Sequence, residues 1–218
     1  MQISVITTTN VAAINFASTN LVILSGDVSS NCSVPFFLSS AKSLIVKIGV
    51  INVLGRVFMP PMDSPWQIVV EEIKKLKDDG VEHIFIDFHA EATAEKICFS
   101  KFLANEFNTE ENALIKGFFG THTHVQTADE KIINGMAYIT DAGFCGSADS
   151  VIGMEYSTSL KRLSTSLPER YEIAECGLAQ LNGVEVLIDR TKATQIKRIN
   201  ILVDNNEQER KASLDSSG

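Results

Sequence analysis

The chain has 218 residues, enough for one domain or one domain with a small appendage. Apolar residues make up 44% and charged residues 21%, the balance of a soluble globular protein with a sizeable core. Nineteen basic against 27 acidic side chains give a formal charge of −8, which excludes a general electrostatic surface for nucleic acid or anionic lipid.

Residues 1–50 carry only three charged side chains, Asp27, Lys42 and Lys47. Residues 1–47 are read as a divergent remnant ahead of a core over residues 48–204, and the polar residues 205–218 are expected to form a disordered tail. No apolar run is long enough to span a bilayer, and Met1–Ser4 does not begin a secretory signal, so a cytoplasmic protein is expected. Cys32, Cys98, Cys145 and Cys176 lie in no C-x-x-C spacing and read as buried thiols in a reducing compartment.

In chain order, Leu44 to Leu54 is mostly β-branched or aliphatic and reads as a strand. Pro60-Pro61 breaks the chain, and Asp63 or Ser64 can cap a helix from Trp66 to Leu76. There Ile68, Val69, Ile73 and Leu76 recur at helical spacing, and Asp78-Asp79-Gly80 ends the segment. His83 to Phe88 has the apolar run of a buried strand, and Thr93 to Phe107 reads as a helix. Ala113 to Phe119 and Met136 to Thr140 read as further strands, and Ser157 to Leu163 as a short helix. Glu172–Ala174, Leu178 to Ile188 and Ala193 to Val203 read as closing strands. This alternation predicts a layered α/β sandwich, parallel at its centre and antiparallel toward one edge.

Three successive apolar runs end in polar residues. Ile84–Ile86 leads into Asp87, His89 and Glu91; Gly117–Phe119 into Gly120-Thr121-His122-Thr123-His124; Ala137–Ile139 into Thr140, Asp141 and Gly143. Open α/β sheets bind ligands beyond the carboxyl ends of their strands. Imidazole suits zinc, iron and related ions, and a His-x-His pair can direct both rings to one ion or splay them to two. His89, His122 and His124 are therefore candidate metal ligands, although hydrogen-bonded surface histidines would show the same pattern. His83, at the opposite end of its strand, reads as structural or exposed. Asp87 could orient a ligating histidine or serve at the entry of the following helix. Glu91 fits better as a cap for the following helix.

The runs Asp87–Thr93, Gly120–Asp129 and Ala137–Asp141 resemble the bacterial 2′,3′-cyclic-nucleotide 2′-phosphodiesterases, a branch of the calcineurin-like metallophosphoesterases. Asn52–Phe58 followed by two prolines, Ser150–Met154 and Leu167–Arg170 fit the same pattern, so the resemblance runs from about Ile48 to about Ile201. It implies a metallophosphoesterase-type α/β sandwich and two divalent ions, iron or manganese. It also implies hydrolysis of phosphodiesters such as cyclic nucleotides. His89 and His122 would ligate one ion and His124 the other.

The family's Gly-Asp and Gly-Glu-Asn motifs do not stand in their expected places. Gly26-Asp27 lies too close to Asn52 to serve. A better register sets Val5–Val11 on the family's V-I-T-x-G-N-H, with Asn10 as a metal ligand and Val11 in the place of the proton-donating histidine. The sandwich is therefore expected to be incomplete at its N-terminal strands, and activity to be weak or absent. Two other readings stay open: a catalytically dead binding or oligomerisation module, and a mononuclear metal hydrolase. A phosphodiester or nucleotide substrate and a homo-oligomer are the expected partners.

Overall fold

In the computed structural model the described residues are 2–8, 11–16, 47–175, 177–189 and 191–204, the first two stretches by backbone alone. Asn10, Cys32, Cys176, Leu44–Val46 and the tail at 205–218 lie outside them. The chain divides into two compact units. The first comprises the described residues up to Phe144 together with 182–199; the second comprises 145–181 and the stretch after Ile199.

The first unit contains β1 (Gln2–Thr8), β2 (Val11–Phe16), β3 (Ile48–Leu54), α1 (Pro65–Asp78), β4 (His83–His89), α2 (Thr93–Phe107), β5 (Ile115–Thr121), β6 (Lys131–Ile133) and β7 (Met136–Ile139). Its main sheet has the order β3-β4-β5-β7-β6. The first four strands are parallel, and β6 is antiparallel at the edge. The expected mixed α/β arrangement is present.

Side chains alternate across the central strands, because successive residues of a strand point to opposite faces. Ile84, Ile86 and Phe88 of β4, with Phe118 and Tyr138, pack against Val69 and Ile73 of α1 and Phe99 and Leu103 of α2. Phe85, Phe119, Ala137 and Ile139 face the other way, onto Val184, Val186 and Ile188. Those residues belong to β9 (Leu178–Asp189), which lies in a second sheet of order β10-β9-β1-β2, where β10 is Lys192–Asp204. β4 and β5 are thus covered on both faces, which explains their near-continuous apolar runs.

Pro65 opens α1 at a position where its missing N–H costs nothing. Ser64 stands at the cap, but its side chain makes no capping bond. In the second unit, β8 (Gly146–Ser147) pairs with Ala179 and Gln180. Helix α3 (Tyr156–Thr165) is capped by the Glu155 carboxylate, which accepts from the Ser157 and Thr158 amides. The run Glu172–Ala174 is not a strand: Ile173 makes only an isolated bridge to Met154. Cys98 is exposed rather than buried, and Cys145 is half-buried. No helix among the described residues is long and apolar enough to cross a membrane.

Candidate metal centre

The carboxyl ends of β4 and β5 bring two of the predicted histidines, His89 and His122, together within the first unit. His89 closes β4, Thr121 closes β5, and the turn that follows carries His122 and His124. β4 and β5 run parallel, with His89 opposite Thr121.

Each imidazole of the first pair has its outer nitrogen engaged. The Nδ1 of His89 lies 3.1 Å from the Thr121 hydroxyl. That hydroxyl donates to Asp87 Oδ1 at 3.1 Å, and Asn52 Nδ2 donates to Asp87 Oδ2 at 2.9 Å. A hydroxyl has one proton, so with that proton on Asp87 it accepts from His89 Nδ1–H. On the far side, His122 Nε2 is paired with the Glu91 carboxylate, an acceptor. The remaining nitrogens, His89 Nε2 and His122 Nδ1, face each other at 3.2 Å. Both carry lone pairs when their partners hold the outer N–H protons. Two lone pairs at that distance repel unless a cation, a proton or a metal ion, lies between them.

The separation suits a metal. Two nitrogens each about 2.0–2.1 Å from one tetrahedral ion are about 3.3 Å apart. The outer partners, Asp87 through Thr121 and Glu91 directly, are carboxylates of the kind that would orient the two rings if they held an ion. Asp87 reaches His89 only through the Thr121 hydroxyl. Glu91 does not cap α2: Ala92 occupies the cap position with no side-chain bond, and the Glu91 carboxylate turns to His122 instead.

His124 is placed differently. Its ring packs on Phe144 at 5.3 Å between centroids, and its Nδ1 is buried with no hydrogen-bond partner. A buried ring nitrogen left without a partner costs free energy, and an ion would relieve it. Among the described residues, no three His, Cys, Asp or Glu side chains group closely enough to enclose a metal ion. Asn10 lies outside the described residues, and Val11 is described only as the backbone start of β2.

Charge and burial tune the cluster. Burial, then the charges of His122 and Lys96, hold His89 below the usual imidazole pKa. Burial pushes Asp87 up to about 6, against the hydrogen bonds from Thr121 and Asn52.

Sequence reasoning missed the support of the His122–His124 turn. His122 and His124 both adopt positive φ, 134° and 60°, which side chains with a Cβ seldom accept. Asp141 holds this turn: Oδ2 accepts from the Thr123 amide at 2.9 Å and from Lys96 Nζ at 3.3 Å, and Oδ1 accepts from Gly143 N at 3.0 Å. The pair is fully enclosed, with Lys96 and Asp141 side chains 1% and 0% exposed. A signal existed in the sequence. Lys96 shares a helical face with Phe99 and Leu103, where a lysine needs a partner.

The profile of the YmdB-like protein family matches residues 37–199, three quarters of the chain. The chain belongs to the YmdB-like family. A relative of this YmdB-like chain, the 2′,3′-cyclic-nucleotide 2′-phosphodiesterase of Bacillus subtilis (strain 168), is 44% identical over 160 residues, covering 70% of this chain and 55% of that protein. Two crystal structures share the architecture. One is a hypothetical protein from Thermus thermophilus, with TM-score 0.62 and 29% identity, covering 70% of this chain and 56% of that one. The other is a phosphatase from Mycoplasma pneumoniae, with TM-score 0.59 and 34% identity, covering 74% and 55%. The chain thus spans about half the length of the relatives it matches.

Proposed function

We propose that this chain carries the histidine part of a metal-dependent phosphodiesterase centre whose substrates are phosphodiesters, cyclic nucleotides among them. The observation that supports this reading best is the facing pair His89 Nε2 and His122 Nδ1, with both outer nitrogens already engaged. His89 and His122 would hold one divalent ion, and His124, with its partnerless Nδ1, would serve a second. Asn10 would complete the first set, as the family resemblance implies. Iron or manganese bound there would polarise a phosphoryl group and supply positive charge to an acidic chain.

The chain's own residues position that chemistry. Asp87 and Thr121 fix the His89 ring, Glu91 fixes His122, and Asp141 with Lys96 shapes the turn between the two later histidines. With Val11 in the place of the family's proton-donating histidine, turnover by this chain alone should be weak. Loss of a general acid removes about 10²–10⁴-fold in rate.

Purified chain loaded with manganese tests the proposal by elemental analysis and by hydrolysis of bis(p-nitrophenyl) phosphate. Retained metal that His122→Ala abolishes, with slow or undetectable turnover, is the expected result. A wild-type chain that holds no metal would overturn the metal centre. Fast turnover abolished by His122→Ala would overturn the weak-activity reading.

A further inference from the structure

The segment Asn52–Phe58 belongs to the family resemblance, yet nothing in the centre described above uses its last three residues. β3 runs parallel to β4 with Leu54 opposite His89, and the Gly55 amide donates to the His89 carbonyl at 2.8 Å. The chain leaving β3 is therefore bonded directly to the backbone of a proposed ligand. Gly55 fits there because it has no side chain: a Cβ would come within 2.5 Å of Ala90 Cβ and 2.6 Å of Glu95 Oε2.

The next residues form a tight turn, closed by the Met59 amide donating to the Arg56 carbonyl at 3.2 Å. Glu95, only 8% exposed, uses its carboxylate to hold this turn, accepting from the Arg56 amide at 3.0 Å and the Val57 amide at 3.2 Å. A buried carboxylate from α2 thus fixes the shape of a surface turn. At the turn's third position stands Phe58, with φ +62° and the residue 88% exposed. That position favours glycine or asparagine, because a Cβ is crowded at positive φ. Phe58 therefore strains the backbone and leaves a large apolar ring in water. Folding gains from neither. Arg56, two residues earlier, is exposed, and its guanidinium has no partner among the described residues.

We propose that this turn is a nucleotide-recognition element beside the metal centre, with the Phe58 ring stacking on the base and the Arg56 guanidinium meeting phosphate. This inference rests on the phosphodiesterase reading and deepens it. Aromatic rings stack on any base, and a guanidinium pairs with phosphate through two parallel hydrogen bonds. Backbone strain of this kind persists where the surroundings hold it for a ligand. Arg56 also places one positive group next to the site of a chain whose net charge is −8.

The test is calorimetric titration of the manganese-loaded full chain with adenosine 3′-monophosphate and, separately, with ribose 5-phosphate. The wild type should bind the nucleotide about ten-fold more tightly than the sugar phosphate, the increment of one stacked base. Phe58→Gly should remove that increment and leave ribose 5-phosphate affinity unchanged, while Phe58→Trp keeps it. Arg56→Ala should weaken both ligands. Phe58→Gly should also raise the melting temperature by about 2 °C, since the strain is relieved. Three results would overturn the inference alone: equal affinity for both ligands in the wild type, a base increment that survives Phe58→Gly, or a lower melting temperature in that variant. If the metal-loaded wild type binds neither ligand, the phosphodiesterase reading fails and this inference falls with it.

Discussion

Replacing Lys96 with methionine separates the roles of the buried pair from those of the histidines. Methionine keeps most of the aliphatic stem, which packs tightly: a Cβ placed on Gly120 would come within 2.9 Å of Lys96 Cδ. What is lost is the ammonium 3.3 Å from Asp141 Oδ2. Removing one partner of a buried ion pair costs about 3–5 kcal/mol, because the other charge remains buried. Asp141 retains the Thr123 and Gly143 amides as donors, so the loss should lie at the low end, about 3 kcal/mol. That is a large part of the total stability of an ordinary domain, about 5–15 kcal/mol. Burial itself pulls the Lys96 pKa down, and Asp141 opposes that pull. The double variant Lys96→Met/Asp141→Asn should therefore cost less than the sum of the two single changes, by about 1–3 kcal/mol. Urea unfolding followed by Trp66 fluorescence is a suitable assay. Trp66 packs on Phe99 and Phe102 of α2, the helix that carries Lys96. With a slope of about 2 kcal/mol per molar urea, the midpoint should fall by about 1.5 M. Cobalt titration of the folded variant should show metal binding about ten-fold weaker, because Asp141, the anchor of the strained His122–His124 turn, loses one of its three supports. A Lys96→Met protein as stable as the wild type, or strictly additive single changes, would refute the reasoning.

Two further outcomes follow from positions away from the histidines. Lys116 is buried, with Nζ donating to the Ala113 carbonyl and, at 2.8 Å, to that of Thr191; burial lowers its pKa to about 8. Between pH 8 and the ordinary lysine value the folded chain has released this proton and the unfolded chain still holds it. Stability should therefore rise across that window, by up to about 3 kcal/mol, and Lys116→Met should lose this increment in urea titrations at about pH 7.5 and about pH 10. A Cβ on Gly120 would fall 1.8 Å from the Thr140 carbonyl oxygen, whose strand is tied to Gly120 through the Ala142 amide at 2.9 Å. Backbone cannot move aside cheaply, so Gly120→Ala should cost about 3 kcal/mol or more; a wild-type melting temperature would contradict this.

The sequence by itself determined the elements whose signals are local. The apolar runs at Ile84–Phe88 and Phe118–Phe119 became β4 and β5 because strands covered on both faces are apolar on both faces. The helical spacing of Val69 and Ile73 became the buried face of α1. The histidines at successive strand ends, and His83 at the opposite end of its strand, were legible because parallel strands set one end of the sheet apart from the other. Partnership was not legible. Glu91 lies next to α2 and reads as its cap, but the turn after β5 brings His122 to it. Lys96 and Asp141 are 45 residues apart, and Glu95 and Arg56 are 39 apart. The strand reading of Glu172–Ala174 failed for the related reason that a β-prone run becomes a strand only where a neighbour offers a ladder. Propensity and periodicity are written within a short window of chain. Which charges are buried together, and what they hold in place, is decided only when the tertiary topology brings distant segments into contact.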